Sequence, residues 1–341
     1  MLIFYIQKGE TMSRMKSLIK VGVLTSISVF YIYSNSHAID SEEEAVKRGI
    51  GYSQSGKFDE AITEFNKAVE INPKYADAYG NRAAAYAYKG NLDQALSDLN
   101  KAIEINPKYA DAYYNRGHTY FSKGNYDQAI SDFTQALEIN PHYAYAYVNR
   151  GIIHKEKGNL DKAIFDYDKA IEINPKFAEA YHNRAIVYFM KENYDKAWED
   201  VHKTEELGTV VNANFREALK KVSVQAYCNR GLAYYRQRAY DQAIAEYDKA
   251  IEIDSTFSEA YNNRGLAYGD KGNIENSIYD FDKAIEINPN FAEPYNSRAI
   301  AYFIKKNYDK SWVDVHKAES LGYKIHPKFL EDLKKASRRE K

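Results

Sequence analysis

Asparagine residues followed by arginine recur along the chain at a spacing that suits recognition of another polypeptide. Four of them are 34 residues apart, and two more follow after a longer interval: Asn81, Asn115, Asn149 and Asn183, then Asn229 and Asn263. A side-chain amide both donates and accepts hydrogen bonds, so it can pair with a bound main chain whatever its sequence. The alternative is that these amides form hydrogen bonds within their own helix.

Patterns typical of covalent chemistry are missing from the sequence. It contains no phosphate-binding loop, no HExxH motif and no nucleophile elbow. His202 and His316 occupy the same place in two similar segments, which favours a packing role. His118, His154 and His182 lack carboxylates at ligand spacing, so we predict no metal site. We therefore predict a non-enzymatic protein that binds no metal and no cofactor.

Composition narrows the class of partner. The chain has 341 residues, of which 45% are hydrophobic and 28% charged, as in a folded protein. The net charge of −1 gives no basic excess that would attract nucleic acid. Cys228 is the only cysteine, which excludes an internal disulfide framework. We expect protein or peptide partners, and neither nucleic acid nor a small-molecule substrate.

A 34-residue period requires a repeated structural unit, and its pattern predicts two helices. In residues 76–106 the first helix is indicated by apolar residues three to four positions apart: Tyr79, Ala83 and Tyr86. The glycine of KGN, Gly90, separates it from a second helix that is marked by Ala95, Leu99 and Ala102. Pro107 follows the end of the second helix. A single helical hairpin cannot bury its apolar face, so the units must stack. The predicted fold is all-α, an elongated solenoid with one long concave surface.

The spacing from Tyr79 to Pro107 resembles the tetratricopeptide repeat (TPR) family. Eight units begin near Glu42, Ala76, Ala110, Ala144, Ala178, Val224, Ser258 and Ala292. The resemblance implies an α-α superhelix whose first helices line the concave face. The six asparagines also resemble the asparagine ladder in the TPR region of O-GlcNAc transferases, where amides grip a peptide backbone, although no catalytic domain is encoded here. Aromatic anchors should flank this ladder at Tyr114, Phe121, Phe189, Tyr235 and Phe303.

Two departures from familiar TPR patterns shape the prediction. Asp111 and Asn115 stand where the carboxylate clamp of chaperone-adaptor TPRs has cations, so that binding mode fits poorly. Arginine replaces the usual leucine in every unit, and an acid follows 16 residues later: Arg48/Glu64, Arg82/Asp98, Arg116/Asp132, Arg150/Asp166, Arg184/Asp200, Arg230/Glu246, Arg264/Asp280 and Arg298/Asp314. We predict structural ion pairs within a hairpin or between neighbouring hairpins.

A longer repeat interrupts the regular period. The stretch NYDKAWEDVHKTEELG (193–208) returns 114 residues later as NYDKSWVDVHKAESLG, twelve residues more than three periods. The segments that follow, 209–223 and 323–337, also match each other. We predict that the second is a C-terminal capping helix and that residues 212–222 are the same cap left in mid-chain by a duplication.

The mid-chain cap divides the predicted organisation in two. Residues 42–223 would hold repeats 1–5 and the cap-like helix, and residues 224–341 would hold repeats 6–8 and the C-terminal cap. No glycine or proline separates Lys220 from Arg230, so the old cap should continue into repeat six as one long helix. Such a helix would put a step in the superhelix and split its groove into two lobes, whereas a smooth superhelix is the alternative.

The first 38 residues have the pattern of a secretory signal. Basic residues precede the apolar run 21–33, and small residues follow at Ser36 and Ala38. The run is short for a membrane span, which needs about 20 residues. Cleavage would export the protein to the periplasm or the outside of the cell. An uncleaved segment would anchor it to the membrane through residues 18–33, the only membrane contact that we expect.

Three functions are compatible with these features. The first is a binding scaffold that holds extended peptide segments or assembly partners in its concave groove. The second is an accessory or regulatory subunit that delivers substrate to a separate enzyme. The third is a self-associating structural array.

Overall fold

The computed structural model describes residues 41–337, and within them the chain is all-α, with 17 helices. The described residues form two compact units, divided between Ala180 and Tyr181. The predicted signal or anchor segment, residues 1–38, lies outside the described residues. In the part that the structure describes, no helix is both long and apolar enough to cross a membrane.

The first unit consists of four helical hairpins. Their helices are α1 (Glu42–Gln54), α2 (Phe58–Ile71), α3 (Ala76–Tyr88), α4 (Leu92–Ile105), α5 (Ala110–Ser122), α6 (Tyr126–Ile139), α7 (Ala144–Glu156) and α8 (Leu160–Ile173). Each first helix packs against the second helix of its own hairpin, and α1, α3 and α5 also pack against the next first helix. The predicted stack of TPR hairpins is therefore confirmed.

The second unit repeats this arrangement after α9 (Ala178–Met190), the helix that contains the division. Its other helices are α10 (Tyr194–Glu206), α11 (Ala213–Arg236), α12 (Tyr240–Ile253), α13 (Ser258–Asp270), α14 (Ile274–Ile287), α15 (Ala292–Ile304), α16 (Tyr308–Ser320) and α17 (Pro327–Ser337). Helix α11 has 24 residues and joins the cap-like segment to repeat six without a break, as predicted. The predicted division of the groove, and the domain limits at residues 223 and 224, stay predictions.

Close packing within each hairpin depends on one small and one large residue, 16 positions apart. Glycine on the first helix stands opposite an aromatic ring, whereas alanine accompanies a smaller aliphatic residue: Gly49/Phe65, Gly117/Phe133, Gly151/Tyr167, Gly231/Tyr247 and Gly265/Phe281, against Ala83/Leu99, Ala185/Val201 and Ala299/Val315. The two volumes compensate, so every hairpin fills its core without overpacking.

The predicted ion pairs are confirmed in all eight hairpins. Arg150 is representative: its Nη2 lies 2.7 Å from Oδ1 of the buried Asp166, and its Nη1 donates to Thr134 Oγ1 at 3.0 Å on the preceding hairpin. The guanidinium also lies 5.5 Å from the ring centroid of Tyr147. The same two contacts recur at Arg82, Arg116, Arg264 and Arg298, so these arginines can fix both the pairing of their own helices and the register to the preceding hairpin.

The two cap segments pack in the same way. Trp198 Nε1 donates to Ser223 Oγ at 3.1 Å, and Trp312 Nε1 donates to Ser337 Oγ at 3.1 Å. Leu219 is fully buried in the mid-chain copy, as is its counterpart at the C-terminus, Leu333. The predicted capping helix and its mid-chain copy are thus confirmed.

Candidate functional site

The first unit contains a cleft between the consecutive first helices α3 and α5, with α4 as its floor. Its volume is about 240 Å³. Tyr114, Asn115 and His118 line it from α5, and Tyr88 lines it from α3. The apolar floor includes Leu99. Two of the predicted site residues, Tyr114 and Asn115, therefore lie together in a cleft where main-chain hydrogen bonding and aromatic contact are both available.

Asn149 and Tyr114 are coupled across neighbouring first helices. The Asn149 amide nitrogen donates to the Tyr114 hydroxyl at 3.0 Å. The Tyr114 ring stacks on Tyr143 with its centroid 4.7 Å away. Burial raises the pKa of the Tyr114 phenol, while the bond from Asn149 acts in the opposite direction. Tyr114 is thus held in place by α7 and stays protonated at neutral pH.

The remaining predicted residues of the first unit are engaged locally. The Asn81 amide donates to the main-chain oxygen of Asp77 at 2.8 Å, which is the within-helix arrangement. The Phe121 ring packs against Tyr126 at a centroid distance of 5.8 Å. The amides at 34-residue spacing therefore differ in their hydrogen bonds, because the neighbouring side chains are not the same in each repeat.

In the second unit, two predicted aromatic residues are anchored by the neighbouring structure. Phe189 on α9 meets Phe215 of the mid-chain cap edge to face, with centroids 5.8 Å apart. The Tyr235 hydroxyl donates to Asp270 Oδ2 at 2.7 Å. Burial, followed by this bond, raises the pKa of Tyr235. Both side chains therefore have fixed positions before any ligand is present.

The predicted asparagines of the second unit lie on α9, α11 and α13. Asn229 is exposed, and its amide oxygen accepts from Gln225 at 3.1 Å. It lines a shallow surface with Val222 and Ala226. Asn183 and Asn263 are half-buried. Asn229 therefore lies on an open surface, whereas Asn115 lies in a cleft.

Sequence reasoning missed a second cleft, of about 340 Å³, between α13, α14 and α15. Asn262, Asp270 and Glu293 line it, none of which belongs to the predicted set. The available signal was Gly269, which stands where four of the seven other repeats have an aromatic residue: Phe121, Phe189, Tyr235 and Phe303. A missing ring leaves space between two first helices, and that space is the cleft.

Cys228 and His154 are buried, and burial shifts the pKa of both side chains. Burial raises the pKa of the Cys228 thiol to about 12, so this cysteine is a poor nucleophile at neutral pH. Burial lowers the pKa of His154, so this imidazole is neutral at pH 7. Between residues 41 and 337 no group of three or more His, Cys, Asp or Glu side chains is arranged to hold a metal ion.

Comparison with known families identifies the repeats. A model described as tetratricopeptide repeat matches residues 110–143, 144–177 and 258–291. A second, described as TPR repeat, matches residues 52–90, 85–123 and 239–272. A third, again described as tetratricopeptide repeat, matches residues 166–199 and 281–312. Together these matches cover more than half of the chain.

Known proteins are similar over different lengths. An uncharacterised protein of Methanocaldococcus jannaschii is 40% identical over 47 residues, which are 14% of this chain and about half (55%) of that protein. The crystal structure of MamA is 29% identical, covers 47% of this chain and 94% of its own, and has a TM-score of 0.44. A tetratricopeptide repeat protein of Parabacteroides merdae is 20% identical to this chain. The similarity covers 87% of this chain and 99% of that protein, with a TM-score of 0.41.

Proteins built from tetratricopeptide repeats typically mediate protein–protein interactions and are generally non-catalytic. The repeat models match this chain on hairpins that have the expected 34-residue spacing and stacked first helices. This chain therefore belongs to the tetratricopeptide repeat family.

Proposed function

We propose that the protein is a non-enzymatic scaffold that holds an extended segment of a partner protein against its first helices. The observation that carries the proposal is the cleft between α3 and α5, where Asn115 lies between aromatic residues. Its amide can donate to a main-chain carbonyl and accept from a main-chain N–H, which makes binding tolerant of the partner's sequence. This is the role predicted for the asparagine ladder, and Asn115 is its best-placed member.

Aromatic side chains beside Asn115 can supply apolar anchoring. The Tyr88 ring stacks on Phe58 with centroids 5.1 Å apart, yet it is 77% exposed. Tyr114 is fixed by Asn149 and Tyr143 on the opposite side. Rings that are already ordered lose little conformational entropy when a ligand packs on them, so they favour binding. His118, exposed at the same cleft, adds a further polar contact.

A peptide selection tests this function. Random peptides displayed on phage are enriched on the purified protein, and the enriched sequences are measured by fluorescence polarisation. We expect the double variant Asn115→Ala, His118→Ala to bind them at least tenfold more weakly. The matched control is Gln135→Ala on the second helix α6, an exposed residue that does not line the cleft. Equal affinity of the double variant, or no enrichment at all, would refute the proposal.

We further propose that the scaffold works outside the cytoplasm. The support is the order of basic residues, apolar run 21–33 and small residues at Ser36 and Ala38. N-terminal sequencing of the protein from cell fractions provides the test, with a new terminus after Ala38 in the exported fraction as the expected result. A full-length chain in the membrane fraction would favour the anchor through residues 18–33. A full-length chain in the cytosol would contradict both alternatives.

A further inference from the structure

The cleft of the second unit owes its depth to one glycine. Gly269 on α13 faces Ser277 on α14, and a Cβ added at residue 269 would lie 3.1 Å from the Ser277 hydroxyl oxygen. Four other repeats have phenylalanine or tyrosine at this place, which glycine replaces with a single hydrogen atom. Here the space remains as a cleft of about 340 Å³ lined by residues of α13, α14 and α15, and by Tyr323.

A buried amide in this cleft lacks a partner. Asn262 is 1% exposed, and its Oδ1 is buried without a hydrogen bond from any described residue. The equivalent residue of the duplicated segment, 114 positions earlier, is the buried Val148. An unsatisfied amide destabilises a fold where valine would not. A ligand that donates a hydrogen bond would remove that deficit.

The charged residues that line the cleft are both acidic. Asp270 is held at the rim by the Tyr235 hydroxyl, 2.7 Å from Oδ2, and Glu293 lies on α15. Lys324 and His326 line an adjoining cleft and do not line this one. The two carboxylates have no cationic side chain among the lining residues of the cleft, which favours a cationic ligand.

The walls of the cleft are apolar. Leu266, Ile300 and Ile304 line it beside the polar groups. A ligand that fits must therefore carry a hydrocarbon stem as well as a charged end with several N–H donors. The arginine side chain has both features, because its guanidinium presents five donors on a three-carbon stem.

We propose that the cleft between α13 and α15 binds an arginine side chain of the partner segment, with Glu293 and Asp270 accepting from the guanidinium. This inference rests on the proposed scaffold function and adds a sequence preference to it. The first-unit cleft then supplies main-chain contacts, and the second-unit cleft selects a residue type.

Counter-selection isolates the peptides that need this cleft. Phage-displayed peptides are enriched on the wild-type protein and depleted on Gly269→Phe, which fills the space as Phe303 does in the last repeat. We expect the surviving peptides to share an arginine. Replacing that arginine by citrulline, which has nearly the same shape and no charge, should weaken binding at least tenfold. Survivors without arginine, or equal binding of the citrulline peptide, would overturn the proposal.

Two substitutions place the arginine at the named residues. Glu293→Gln should bring the arginine and citrulline peptides to within threefold of each other, whereas the exposed control Glu252→Gln on α12 should keep the tenfold ratio. Asn262→Val should raise the unfolding temperature and weaken arginine-peptide binding. A Glu293→Gln protein with the wild-type ratio, or an Asn262→Val protein with wild-type affinity, would count against the site.

The outcome also separates the two proposals. If peptides bind the wild type and the Gly269→Phe protein equally, the arginine site is wrong and the scaffold function stands. If no peptide binds the wild type, both are wrong.

Discussion

The ring of Tyr167 lies where a side chain at Gly151 would have to go. A Cβ at residue 151 would be 2.7 Å from Tyr167 Cε1, and the ring is fully buried. The same complementarity links a small and a large residue in every hairpin, with alanine opposite leucine or valine in three of them. Packing of the two helices therefore depends on the sum of the two volumes.

Gly151→Ala should destabilise the fourth hairpin by about 1 to 3 kcal/mol, because the added methyl group overpacks the core. The double variant Gly151→Ala, Tyr167→Leu recreates the Ala83/Leu99 combination and should recover most of the loss. Urea unfolding followed by far-UV circular dichroism measures both midpoints. An unchanged midpoint for Gly151→Ala, or no recovery in the double variant, would show that the two volumes are not coupled.

The buried pair between Arg150 and Asp166 should matter far more than an exposed pair. Asp166→Asn leaves a half-buried guanidinium without its counter-charge, at a cost of about 3 to 5 kcal/mol. The control is Asp127→Asn, which removes an exposed pair with Lys157 at 2.7 Å and should cost about 0 to 1 kcal/mol. Thermal unfolding at low and high salt compares them. Equal losses would mean that burial does not govern these pairs.

The two caps should respond differently to the same substitution. Leu333→Ala and Leu219→Ala each remove a fully buried side chain, at about 2 to 5 kcal/mol. Helix α17 packs against α16 and bonds to Trp312 without forming part of a further hairpin among the described residues, so Leu333→Ala should free Trp312 before the rest unfolds. Helix α11 continues into repeat six, so Leu219→Ala should shift the emission of Trp198 and the circular dichroism together.

The chain has two tryptophans, so replacing one of them assigns the fluorescence signal to the other. Trp198→Phe reports on Trp312 alone, and Trp312→Phe reports on Trp198 alone. Coincident fluorescence and dichroism transitions for Leu333→Ala, or separate ones for Leu219→Ala, would be the opposite of our expectation.

His154 should make stability depend on pH. Burial lowers the pKa of the folded-state imidazole below its ordinary value of 6.5, with the Asp166 carboxylate opposing and Arg150 adding to the effect. At acidic pH the unfolded chain therefore binds more protons than the folded protein does. The contribution of the neutral imidazole to the free energy of unfolding is complete above pH 6.5 and is lost as the pH falls below that value.

The unfolding temperature of the wild type should accordingly fall more between pH 7.5 and pH 5.5 than that of His154→Gln, whose side chain does not titrate. The His154→Gln protein is the control, because its pH dependence comes from all the other ionisable groups. Parallel curves for the two proteins would show that the imidazole is not held neutral by the fold.

Much of the architecture follows from the sequence. Three patterns can be read directly from the sequence: the 34-residue period, the Arg–acid spacing, and the match between residues 209–223 and 323–337. Each pattern corresponds to a packing arrangement that recurs along the structure. Helix α11 was predictable because no helix-breaking residue interrupts it. Repetition makes such patterns reliable, since every copy must satisfy the same packing.

The two clefts were harder to predict from the sequence. Asn81, Asn115 and Asn149 look alike in the sequence, yet Asn81 donates to its own helix and Asn149 to Tyr114. The difference depends on neighbours one repeat away and on side-chain direction. To predict the cleft at Gly269, one would have to notice that an aromatic ring is missing there. A missing side chain leaves space in the structure but forms no sequence motif.

Helix α11 is both a cap for the repeats before it and the start of the repeats after it. The cap-like half buries Leu219 and bonds to Trp198, while the same continuous helix goes on to form the first half of a new hairpin. The predicted duplication, which would copy a cap together with its repeats, would therefore lengthen the protein in one step and leave the earlier repeats capped. Such growth would add surface to the solenoid without disturbing the packing of the earlier repeats.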